Sequence, residues 1–132
     1  MADIIFPGSP DLYYSIGERW QTAAGYLLMF TRSGDLQLLD LKSKQIWSSN
    51  TAGAGGIKLR VQEDGNVVIY DAADGPVWAS DTNGNPGAYL SLQEEGRLVV
   101  YSKDHHPLWR SDAPNIRSNW VQEGTTRAPA AQ

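Results

Sequence analysis

Polar and apolar residues alternate with a period of two through most of the chain, the pattern of strands buried on one side. Leu59 and Val61 alternate with Lys58, Arg60 and Gln62; after Glu63-Asp64-Gly65, Val67 and Ile69 alternate with Asn66, Val68 and Tyr70. The faces decide the turn between these runs. A two-residue Asp64-Gly65 turn pairs Gln62 with Val67 and mixes polar with apolar sides. A three-residue loop, 63–65, pairs Val61 with Val67 and Leu59 with Ile69. It sets all four on one side and puts Gly65 where such loops need a left-handed residue. The same reading pairs Leu28 and Phe30 with Leu36 and Leu38, and Leu90 and Leu92 with Leu98 and Val100.

The hairpin recurs at a fixed period. Trp47, Trp78 and Trp109 are 31 apart, as are Gly34, Gly65 and Gly96, Leu28, Leu59 and Leu90, and Ser49, Ser80 and Ser111. Composition does not keep so many residue types in register, so the chain is read as three repeats, about 25–51, 56–82 and 87–113. Each offers a third short strand, at 45–47, 77–79 and 108–110. Its tryptophan recurs identically and is assigned to the core rather than to a binding platform. Further strands near 12–16 and 117–122 bring the count to about twelve. No stretch keeps a 3.6-residue apolar period without a Gly or Pro interruption. The expected fold is all-β, one domain over 1–124 with three sheets about a tryptophan-centred core, followed by a flexible tail at 125–132.

Composition narrows the function. The 132 residues suit one domain, and 41% apolar content with 5 Trp and 6 Tyr is too rich for a disordered chain. The longest apolar run, 26–30, is far short of a membrane span, so no membrane insertion is expected. With no cysteine, disulfides, thiolate metal sites and cysteine nucleophiles are excluded. A net charge of −4 argues against nucleic acid as a partner.

One outward face carries chemistry. Asn66, Val68 and Tyr70 alternate on one side of a strand, Gln62 lies across from Asn66, and Asp64 hangs over the same edge from the loop. Two amides, a carboxylate and a phenol therefore surround a Val/Tyr floor. A sugar matches that set: its hydroxyls exchange hydrogen bonds with the polar groups and its C–H patches lie on the floor. Each neutral bond contributes about 1 kcal/mol net, so a single shallow monosaccharide site is weak.

Gln62-x-Asp64-x-Asn66-x-Val68-x-Tyr70 matches the Q-x-D-x-N-x-V-x-Y motif of the monocot mannose-binding, or bulb-type, lectins at every fixed position. The three repeats and three tryptophans also resemble that family, over about residues 12 to 122. The resemblance implies a β-prism II fold, three four-stranded antiparallel sheets about a pseudo-threefold axis. It further implies binding of mannose and mannose-containing glycans without a metal or other cofactor. In that pattern Asp64 and Asn66 hold the axial 2-hydroxyl, Gln62 the 3-hydroxyl and Tyr70 the 4-hydroxyl, with Val68 against the ring carbons. The axial 2-hydroxyl separates mannose from glucose, and an epimer that leaves those groups unpaired is penalised.

The other repeats depart from the motif. The third has Gln93, Glu95, Arg97, Val99 and Tyr101: either the longer side chains fill a degraded second pocket, or Glu95 and Arg97 pair with each other. The first has Thr31, Ser33, Asp35, Gln37 and Leu39, with no match, so one good site per chain is expected. Without cysteine, and with a start lacking a basic, apolar leader, the chain looks like a non-secretory relative, cytoplasmic or released by a non-classical route. The resemblance also implies a homodimer formed by exchanging a C-terminal strand at 116–121, which includes Trp120; alternatively this strand closes its own sheet.

Catalysis is not expected. Asp104-His105-His106 reads as a solvated turn rather than a metal or acid/base cluster, with no third ligand apparent. Glu94 and Glu95 are adjacent, not held across a cleft as a glycosidase requires. The rival reading is a β-prism scaffold acting through protein contacts, its sugar site vestigial; the intact second repeat weighs against it.

Overall fold

The computed structural model describes residues 3–112. Three short strands come first: β1 (Ile4–Pro7), β2 (Tyr14–Ser15) and β3 (Arg19–Gln21). Three triplets follow: β4 (Leu27–Phe30), β5 (Leu36–Leu39) and β6 (Gln45–Ser48); β7 (Gly56–Val61), β8 (Val67–Asp71) and β9 (Pro76–Ala79); β10 (Tyr89–Gln93), β11 (Arg97–Tyr101) and β12 (Pro107–Arg110). The opening strands are dealt out in reverse, giving sheets β3-β4-β5-β6, β2-β7-β8-β9 and β1-β10-β11-β12, every pairing antiparallel. No helix occurs among the described residues. This is the β-prism II arrangement.

The hairpin registers follow the faces. Val61 pairs with Val67 and Leu59 with Ile69; Phe30 with Leu36 and Leu28 with Leu38; Leu92 with Leu98 and Leu90 with Val100. Each loop has three residues, closed by Gly34, Gly65 or Gly96 at φ +86°, +94° and +90°. Gly65 is required twice over. Its φ is left-handed, and a Cβ there would meet the Asn85 carbonyl oxygen at 2.5 Å. The second turn of each triplet places a non-glycine residue, Ser43, Asp74 or His105, at positive φ. Asp40, Asp71 and Ser102 accept the loop N–H groups and offset that strain; Asp71 Oδ1, for example, accepts from Ala73 at 3.0 Å and Gly75 at 2.7 Å. His105 thus occupies a turn corner, with His106 beside it.

Each sheet presents one inward row of four residues: Trp20-Leu28-Leu38-Trp47, Tyr14-Leu59-Ile69-Trp78 and Phe6-Leu90-Val100-Trp109. At one end of the prism Trp47, Trp78 and Trp109 meet edge to face, ring centroids 5.3–5.7 Å apart. At the other, Phe6, Tyr14 and Trp20 close a second triangle at 5.2–5.5 Å with planes nearly perpendicular. Edge-to-face geometry sets the positive ring edge of one aromatic against the negative face of the next and adds about 0.5–1.5 kcal/mol per pair beyond burial. Trp78 and Trp109 are buried core and the partly buried Trp47 packs against them, as their recurrence indicates.

The strand expected near 12–16 is β2. Strands β1 and β3 were not foreseen: Ile4-Ile5-Phe6-Pro7 has no alternation, and Arg19-Trp20-Gln21 is too short to establish a period. Both are held by packing of Phe6 and Trp20 in the aromatic triangle. The strand expected at 117–122, its exchange at 116–121 and the tail at 125–132 lie outside the described residues. Every sheet reaches four strands without them.

Candidate functional site

The β7–β8 hairpin brings the five motif residues together. Gln62 follows β7 and pairs with Asn66, its N–H donating to the Asn66 carbonyl at 2.9 Å. Asp64 is exposed in the loop; its Oδ1 accepts the Asn66 N–H at 2.9 Å, and its carbonyl accepts from Asn85 N–H at 2.9 Å. Val68 and Tyr70 follow Asn66 on the same side of β8. Beside Tyr70 the register shifts, Ile69 facing Trp78 but Tyr70 facing Pro76, which makes Val77 an extra residue on β9. Such a bulge twists the strand and re-aims the neighbouring side chain.

The floor differs from a plain alternation. Val68 points outward yet is only 2% exposed. Its cross-strand neighbours are Arg60 and Ala79, and on the same face the Gln62 side chain donates through Nε2 to Tyr70 Oη. A ligand therefore meets the amide, the phenol and the rim before it meets the valine.

Asn66 is oriented by the loop beyond β9. Its Oδ1 accepts the Thr82 N–H at 3.2 Å and lies 3.4 Å from Ser80 Oγ. Because the oxygen faces those donors, Nδ2 faces outward as a donor. Ser80 and Thr82 are themselves buried and joined at 2.7 Å, with Ser80 Oγ accepting the Val67 N–H at 3.0 Å and the Thr82 hydroxyl donating to the Gly65 carbonyl. These two residues hold the site from behind. The sequence shows Ser80 as a repeat position, 31 from Ser49, but gives it no role at the site; Thr51 and Thr82 keep the same spacing.

The corresponding positions of the other sheets are occupied differently. In the third, Arg97 Nη2 meets Glu95 Oε2 at 2.5 Å, Nε donates to Gln93 Oε1 at 2.8 Å, and Nη1 lies 3.5 Å from Asp112 Oδ2. Gln93 Nε2 donates to Tyr101 Oη at 2.6 Å over the buried Val99. Of the two readings of this repeat, the Glu95–Arg97 pairing is realised, and the guanidinium lies across the face that Asn66 leaves open. In the first, Asp35 replaces Asn66 and turns inward, 4% exposed. Burial pushes its carboxyl up, but hydrogen bonds from Gln37, the Thr51 N–H, Ser48 and Ser49 outweigh this and hold it below the usual carboxylate range. Thr31 and Ser33 bond each other at 2.9 Å.

No group of three or more metal-ligating side chains occurs among the described residues. His105 Nδ1 instead lies 2.7 Å from Tyr89 Oη.

Solved structures place this architecture. A lectin from Marasmius oreades aligns at a TM-score of 0.72 with 27% identity, over 85% of this chain and 92% of that one. The mannose-specific agglutinin of snowdrop, Galanthus nivalis, solved with methyl α-D-mannoside, aligns at 0.67 with 30% identity, over 77% and 92%. A monomeric monocot mannose-binding lectin from Gastrodia elata gives 0.60 with 30% identity, over 77% and 97%. No family model matches the sequence, and no curated protein matches it. The fold is that of the β-prism II lectins. The chain belongs to the monocot mannose-binding, bulb-type lectin family.

Proposed function

We propose that this protein is a mannose-binding lectin with one working site per chain, formed by Gln62, Asp64, Asn66, Val68 and Tyr70, and without catalytic activity. The observation that carries the reading is the state of the polar atoms. In the second sheet the Asn66 Nδ2 donor faces outward and Asp64 Oδ2 takes no described hydrogen bond, whereas Arg97 and Asp35 engage their counterparts internally. A donor and an acceptor side by side suit the axial 2-hydroxyl of mannose, which both gives and takes a hydrogen bond. Gln62 and Tyr70 then serve the neighbouring hydroxyls. Removing the sugar leaves these groups to water, so the gain is modest and a mannoside affinity weaker than micromolar follows.

Weak single sites gain from multivalency, and a homodimer belongs to the same proposal. Since each sheet already holds four strands, an exchanged strand would extend a sheet edge rather than fill a gap. A non-secretory location, cytoplasmic or by non-classical release, is likewise proposed from the cysteine-free sequence.

Calorimetric titration with methyl α-mannoside, with the glucoside as control, tests the reading. Binding at one site per chain, with the glucoside much weaker, is expected. No binding of millimolar mannoside, in a folded protein, would favour the scaffold that acts through protein contacts.

A further inference from the structure

The edge strand β2 lies beside β7 with Tyr14 opposite Leu59 and Ser15 opposite Lys58. Tyr14 points inward to the aromatic triangle, so Tyr13 faces outward, on the side that carries Lys58, Val68 and Tyr70. Tyr13 is 49% exposed. Lys58 is the direct cross-strand partner of Tyr70, and its Nζ sits 5.7 Å from the Tyr13 ring centroid and 2.5 Å from Asp74 Oδ1. Between them, the Arg60 guanidinium is tied down by the Pro10 and Ser9 carbonyls, which fixes the segment carrying Tyr13 against β7. From the Val68 row to Tyr13 is two strand spacings, about 10 Å.

We infer that the sugar site continues past Tyr70 across Lys58 to Tyr13, forming a second subsite for the adjoining residue of a mannose-containing oligosaccharide; this rests on reading 62–70 as the primary mannose site. The C–H face of the second ring stacks on Tyr13, while its hydroxyls meet the Lys58 N–H groups not directed at Asp74 and the second oxygen, Oδ2, of the exposed Asp74 carboxylate. The pseudo-symmetry supports the assignment. The outward residue before the triangle aromatic is Ile5 on β1 and Arg19 on β3, and the positions matching Lys58 are Tyr89 and Leu27. The tyrosine–lysine pair is found only on the sheet with the intact motif.

Titrations of the full chain with methyl α-mannoside and with α1,2-, α1,3- and α1,6-linked mannobiose, on the wild type, Tyr13→Ala and Tyr13→Phe, test it. The wild type should bind at least one disaccharide about threefold to tenfold more tightly than the monosaccharide, as one stacking contact provides. Tyr13→Ala should lose that gain and keep the monosaccharide affinity, while Tyr13→Phe keeps both. No gain for any linkage, or a gain that survives in Tyr13→Ala, overturns the subsite while leaving the primary site standing. Loss of monosaccharide binding in Tyr13→Ala alone would place Tyr13 in the primary site and overturn a separate one. Failure of the wild type to bind the monosaccharide removes the primary site and the subsite together.

Discussion

The outer faces of the second and third sheets share a register, a three-residue hairpin loop and a glutamine–tyrosine bridge over a buried valine. Within the motif they differ at two side chains, Asp64 against Glu95 and Asn66 against Arg97. Where Asn66 turns its oxygen inward and its amide outward, Arg97 reaches across the face and engages Glu95, Gln93 and Asp112. A binding face needs more than the right backbone. It needs polar atoms whose hydrogen-bond capacity is left for a ligand, and the third sheet has engaged those atoms internally. The first sheet reaches the same end by another route, with the buried Asp35 taking four donor groups.

The largest effect should come from moving the plug. Asn66→Arg in the second sheet should weaken mannoside binding at least about a hundredfold, the worth of two hydrogen bonds to the sugar plus lost space. Far-ultraviolet circular dichroism should stay native, because the third sheet carries an arginine, Arg97, at the same position of the same hairpin. Retained binding would show that Asn66 is not a contact.

The reverse exchange sharpens the comparison. Glu95→Asp with Arg97→Asn rebuilds the motif on the third sheet, and calorimetric stoichiometry should rise from one mannoside per chain to about two, within roughly tenfold of the first affinity. A stoichiometry that stays at one would mean that the surroundings of the motif, not its five residues, decide binding.

A smaller effect belongs to the first sheet. Asp35 titrates below its unfolded range, so its stabilisation is present above the unfolded pKa and is lost as pH falls through the lower folded value. Asp35→Asn should cost about 1–2 kcal/mol at neutral pH, since a carboxylate acceptor becomes a half-donor facing donors. It should also flatten the decline in thermal stability below about pH 4. Melting curves between neutral and acid pH measure both, and mannoside binding by the second sheet should be unchanged.

Recurrence assigned the tryptophans to the core, and period-two alternation fixed the three hairpins and their loop length, because a one-residue slip would turn a whole apolar set to water. It also placed the five motif residues on one face, since successive strand side chains must alternate. Other features required the assembled fold. Strands β1 and β3 carry too little pattern of their own and are defined by Phe6 and Trp20 meeting Tyr14 from three different sheets. Val68 is buried although it lies on the outward face, which alternation does not encode. Whether Asn66 offers its amide or its oxygen depends on Thr82, sixteen residues away, and Arg97 adds Asp112, fifteen residues on, to its nearer partners Glu95 and Gln93. Local pattern decides which side a residue faces. Which of its atoms remain open is decided by partners that only the folded chain brings near.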